Sequence, residues 1–148
     1  MIKQDKLYSI IVPVWLLWLF PIIWLIVIPG NFIIDSIVLL LCIKVLKINN
    51  KKQFYKSHIL KVYLFGILAD IIGAIFMFLM MIIFNTVEKS DNPLLTIPGV
   101  IIASVMMFIF NYFISFRKLD KKERLKLSII FALATAPYTF LTPISWVY

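Results

Sequence analysis

Apolar residues run from Leu7 to Ile48 with only brief interruption, and this run constrains the fold more than any other feature of the chain. As one helix it would extend about 63 Å at 1.5 Å per residue, twice the hydrocarbon thickness of a bilayer. The segment PGN at 29–31 is the natural place for it to fold back. Pro29–Gly30 suits the centre of a tight turn, and Asn31 suits the cap of a returning helix. The spacing predicts one helix over about 7–28 and a second over about 32–48. The second is short, but Lys44 and Lys47 can snorkel to the headgroups.

Three more apolar stretches follow, over about 58–85, 95–116 and 127–146. They are separated by NNKKQFYKS at 49–57, TVEKSDNP at 86–93 and RKLDKKERLK at 117–126. The stretch over 58–85 is long enough to require tilt. Pro98 falls in the first turn of the fourth helix, where its missing N–H costs little. Hydrophobic residues make up 63% of the 148, against about 45–50% in a soluble domain. The sequence therefore reads as an all-α, polytopic membrane bundle of five transmembrane helices, one integral membrane domain over 1–148. The first apolar run is too long, and too rich in Trp and Pro, for a cleaved signal peptide, so it is expected to be retained.

The charges agree with this layout. With the N-terminus inside and the C-terminus outside, 14 of the 15 basic residues fall on the inner side, and Lys89 alone falls outside. That division obeys the positive-inside rule. It also accounts for the net charge of +8 without nucleic acid, and it offers the inner face to anionic lipid. Lys outnumbers Arg 13 to 2 and Ile is abundant, a composition that points to an AT-rich bacterial genome and to the bacterial cytoplasmic membrane.

Asp70, in FGILADIIGAIF at 65–76, is the most informative position. It lies nine residues from Lys61, about 13 Å of helix rise, near the middle of a bilayer. An ionised carboxylate there costs several kcal/mol, so the side chain should face protein or water. Gly66, Asp70 and Gly73 share one helix face, and small residues let a second backbone approach. Asp70 is thus either a proton or cation site or a hydrogen-bonded packing residue. Asp35 is the second intramembrane acid. Counted from the inner side it sits level with Asp70, and counted from the outer side it does not, which leaves their contact open. A place near a helix start, where the macrodipole favours negative charge, is a second explanation for Asp35.

Trp15 and Trp18 lie too deep for an interfacial belt and either pack or line a cavity, whereas Trp24 and Trp146 suit the outer interface. Thr135, with Pro137 and Pro143, suggests a kinked helix of the kind found at transporter binding sites. Asn111 reads as an interhelical hydrogen bonder. The candidate ion- or substrate-binding residues are therefore Asp70, Asp35, Trp18, Trp15 and Thr135, with Gly66 and Gly73 as packing positions.

One cysteine, one histidine and 4 glycines leave little for a metal centre, a Cys–His nucleophile or a phosphate-cradling loop. No enzymatic activity and no cofactor are expected. The leading reading is a small proton- or cation-linked channel or transporter built on an intramembrane aspartate, acting as a homo-oligomer. The alternative is a non-catalytic accessory or assembly subunit of a larger membrane complex. Cysteines placed at Ser90 and Lys121 are expected to react with an impermeant thiol reagent from opposite faces of the membrane. Reaction of both from one side would overturn the five-helix topology.

Overall fold

A computed structural model describes residues 21–84 and 93–141. Among them the chain forms four α-helices: α1 (Pro21–Val45), α2 (Lys51–Phe84), α3 (Pro93–Phe110) and α4 (Lys121–Ala134). A π-helical turn, Asn111–Ser115, prolongs α3, and a 3-10 turn, Tyr138–Leu141, follows α4. Among the described residues three helices are long and apolar enough to cross a membrane: Leu25–Val45, Lys51–Phe84 and Thr96–Ser115.

The expected turn at PGN is not there. α1 runs unbroken through Pro29, Gly30 and Asn31, so the two helices read over 7–28 and 32–48 are, from Pro21 onward, one. Within a strongly apolar segment the backbone keeps its internal hydrogen bonds, and a proline is tolerated where neighbours support the weakened turn. Tyr63 of α2 provides such support, donating its hydroxyl to the Ile28 carbonyl at 3.2 Å and meeting Phe32 edge-to-face at 5.4 Å. Residues 7–20 lie outside the described residues.

α1 ends three residues earlier than expected, in a Schellman-type cap. Lys47 takes a left-handed φ of 51°, its N–H reaches the Lys44 carbonyl at 3.4 Å, and Ile48 N–H bonds the Ile43 carbonyl at 3.2 Å. This reverses the chain within a few residues, and Phe54 N–H bonds the Asn50 carbonyl at the start of α2. α2 therefore starts seven residues before the expected 58. KKQFYKS contains no helix breaker, its Lys and Gln residues favour helix, and Phe54 is buried among apolar neighbours.

α2 and α3 pack antiparallel in a consistent register. A Cβ at Gly99 would collide with Met77, Phe65 lies 5.4 Å from Phe110, and His58 stacks 5.6 Å from Phe116. Two apolar cores result. One, at the end where α1 turns into α2, joins Leu39, Cys42 and Ile43 to Phe54, Val62, Phe116, Leu127 and Phe131. The other joins Ala74, Met77 and Met81, with Val27 and Val100 against them. All twelve basic residues of the described chain, Lys44 to Lys61 and Arg117 to Lys126, gather at the end of the first core.

α4 differs most from expectation. It begins at Lys121 rather than 127 and ends at Ala134, because Pro137 cannot continue it and disfavours helix at the residue before. Its 14 residues extend about 21 Å, and its first two turns are charged. Leu127, Ser128, Phe131 and Ala132 form its buried side, with Phe131 5.8 Å from Phe116. The unbroken fifth crossing over 127–146 is replaced, as far as residue 141, by α4, a break and a 3-10 turn beside α3.

The cap makes a test of the α1–α2 reversal. A left-handed conformation costs a non-glycine residue roughly 1–2 kcal/mol, partly offset by the greater chain entropy that glycine loses on folding. Lys47→Gly is expected to raise the stability of the detergent-solubilised protein by about 0.5–1 kcal/mol, read from thermal melts. An unchanged or lower melting temperature would contradict the cap geometry.

Candidate functional site

Between the two apolar cores lies a polar layer contributed by α1 and α2. Asp35 and Asp70 are 4% and 3% exposed, although each stands on a helix whose surroundings are otherwise apolar. The structure brings them together, resolving the register that the sequence left open. Asp35 Oδ2 lies 3.4 Å from where a Cβ on Gly66 would stand, one helical turn from Asp70. The two carboxyl groups are within electrostatic reach of each other.

Asn31 completes the group. Its Nδ2 donates to Asp70 Oδ2 over a long 3.4 Å, while Asp70 Oδ1 has no partner among the described residues. Asn31 is therefore not a helix cap, as the sequence suggested, but a side chain within α1 facing α2. The signal for this was present: Asn31 and Asp35 are four residues apart and share a face once the helix runs through Pro29. The same correction removes the helix-start explanation for Asp35, which sits in the middle of α1.

A small residue at 66 is what leaves room for the acid. Gly66 and Gly73 are buried on the face of Asp70, and at Gly66 the absent side chain leaves room for Asp35 on one side and Met107 on the other, whose Cε lies 3.4 Å from the Cβ position. The α2–α3 register sets Ser104 at about the level of Asp70, with its hydroxyl donated to the Val100 carbonyl at 2.8 Å. Two carboxyls, one amide and a close backbone approach thus occupy one layer, a set able to hold a proton or one small cation between two oxygens.

The other candidates stand apart. Trp15 and Trp18 lie outside the described residues. Thr135 closes α4, its Oγ1 donating to the Phe131 carbonyl at 2.8 Å, so its hydroxyl serves the helix end. Among the described residues no three His, Cys, Asp or Glu side chains gather to hold a metal ion. An open groove of about 480 Å³ lined by Lys52, Gln53, Lys56 and Ser57 sits at the basic end, remote from the acids. No family model matches this chain, nor does any curated protein or solved structure.

The geometry at Gly66 gives graded expectations. Gly66→Ala places a methyl in ordinary contact with Asp35 and Met107 and should change stability by less than about 1 kcal/mol. Gly66→Leu must push α1 and α3 away from α2 and should cost about 2–4 kcal/mol. Leu79→Ala, at a side chain 51% exposed, should cost less than Gly66→Leu. Thermal melts of the three variants in one detergent decide, and an equal or smaller loss for Gly66→Leu would refute the close approach.

Proposed function

We propose that this chain is a small integral membrane protein that passes protons or a small cation, as a channel or transporter, with the Asp35–Asp70 pair as its ion-binding element. The observation that carries the reading is the convergence of two carboxyl groups, from different helices, in a layer between two apolar cores. Two carboxylates close together in apolar surroundings do not both stay charged, and they share a proton or a cation. Packing alone rarely justifies one intramembrane acid, and the juxtaposition of two is harder still to explain that way. The clustering of basic residues at one end favours an orientation with that end in the cytoplasm.

A second reading, an accessory subunit of a larger membrane complex, draws on how little of each span is covered. Only 22%, 33% and 28% of the apolar windows of the three spans are buried, which leaves broad faces for lipid or for partner helices. A homo-oligomer would use the same faces.

Reconstitution into liposomes separates the two. The wild type is expected to carry an imposed proton or cation gradient, with flux reduced on the order of tenfold or more in Asp70→Asn. Because the acids are neighbours, Asp35→Asn should reduce it as well. A wild type with no flux above empty liposomes would favour the accessory role. Flux unchanged in a folded Asp70→Asn protein would remove the pair from the mechanism.

A further inference from the structure

Asn111 is the side chain that the acid pair does not explain. It is 0% exposed, and neither its Oδ1 nor its Nδ2 has a hydrogen-bond partner among the described residues. Ser115, one turn on and 3% exposed, has an equally unpartnered Oγ. Sequence reading made Asn111 an interhelical hydrogen bonder, but no such bond forms among the described residues. Buried amides are almost always partnered, by protein or by ordered water. Both residues belong to the π-helical turn Asn111–Ser115, closed by Phe116 N–H on the Asn111 carbonyl at 2.9 Å. Such turns concentrate at functional positions.

Their place in the bundle gives the pair a direction. Met107 packs on Gly66, Phe110 on Phe65 and Phe116 on His58, so Asn111 stands opposite residues 63–64 and Ser115 opposite 59–60. From the acids toward the basic end the order is Asp70, Asp35, Asn111, Ser115. Near the end of that line Arg124 also has a buried Nε without a partner among the described residues, while its Nη2 donates to the Tyr112 hydroxyl at 3.1 Å. Side chains one helical turn apart are separated by about 6 Å. That is too far for a direct hydrogen bond, and it matches two bonds of about 2.8 Å through one water.

We propose that the Asn111–Ser115 turn holds a short string of waters that opens toward the basic end of the bundle and gives the Asp35–Asp70 pair its access from that side. The amide and hydroxyls hold the waters and exchange no proton themselves. A proton entering from the basic end is taken up by the first water, which releases one of its own to the next, and so on until the last water protonates a carboxylate of the pair. Met107, one helical turn from Asn111 and packed on Gly66 beside Asp35, stands where the string meets the acids. The proposal rests on the acid-pair reading only for what the string delivers, because hydration of the turn stands or falls by itself.

Thiol accessibility tests it. In a Cys42→Ala background, Ser115→Cys is near-isosteric and leaves the turn intact, and Phe113→Cys places a thiol at similar depth on a side chain 60% exposed on the outer surface of the bundle. A thiolate attacks the sulfenyl sulfur of a methanethiosulfonate reagent, forming a disulfide and releasing the sulfinate, and the thiolate forms only where water reaches the sulfur. With a small cationic reagent applied to the basic end of the reconstituted full-length protein, Ser115→Cys is expected to react at least about ten times faster than Phe113→Cys. Arg117→Cys, exposed at that end, sets the fast limit. The same result is expected in an Asp70→Asn background, so loss of flux and loss of hydration are read separately. A folded Ser115→Cys protein that reacts no faster than Phe113→Cys would overturn the proposal, whatever the flux assay gives. Asn111→Cys, if it folds, is expected to follow Ser115→Cys and to react more slowly, being deeper.

Discussion

Asp35 lies against the bare backbone of Gly66, and this approach of α1 to α2 organises what surrounds it. A bulky side chain at residue 66 would push the helices apart and turn the carboxyls toward hydrocarbon, where a charge costs several kcal/mol. With glycine there, Asp35 is buried against α2 one turn from Asp70, and Asp70 meets Asn31 rather than lipid. The apolar cores on either side, one built on Val62 and Phe116 and the other on Met77 and Ala74, then keep the polar layer bounded. Met107 fills the opposite flank of the same glycine, so one missing side chain fixes the contacts of three helices.

That arrangement depends on α1 remaining a helix through Pro29. A turn at 29–31 would have made Asn31 a cap and put Asp35 in the first turn of a short helix. The continuous helix instead places Asn31 and Asp35 one turn apart on one face, both directed at α2. In water a Pro-Gly-Asn sequence favours a turn. In an apolar segment an exposed backbone group has no solvent to bond, and helix is the cheaper state. Tyr63, anchored on the Ile28 carbonyl, holds the weakened turn against α2.

The π-helical turn at Asn111–Ser115 belongs to the same structural logic at the basic end. It widens α3 where α2, α3 and α4 converge, and Phe116 at its close stacks on His58 and meets Phe131 at a tilt. The polar side chains of Asn111 and Ser115 are buried there, and Arg124 lies over the Tyr112 ring at 4.2 Å. Polar groups therefore extend from mid-bundle to the charged end along one interface, while the outer faces of the same helices carry Ile, Leu and Phe.

Helical class and apolar spans were legible in the sequence, because run length and composition alone decide whether a segment is able to cross a bilayer. The placement of charge was legible for the same local reason: Lys44 to Lys61 and Arg117 to Lys126 flank apolar runs and gather at one end. The face shared by Gly66, Asp70 and Gly73 follows from helical periodicity and needed no coordinates. What periodicity does not contain is register between helices. Asp35 and Asp70 gave conflicting levels when counted from opposite ends, and Asn31, taken as a helix boundary on the outer side, lies within α1. Only the packed structure sets Asp35 beside Gly66, turns Asn31 from a cap into a partner of Asp70, and leaves Asn111 enclosed. The contacts of Asp35 with Gly66 and of Asn31 with Asp70 join residues about thirty to forty positions apart, decided by which surfaces fit and not by the preferences of any one segment.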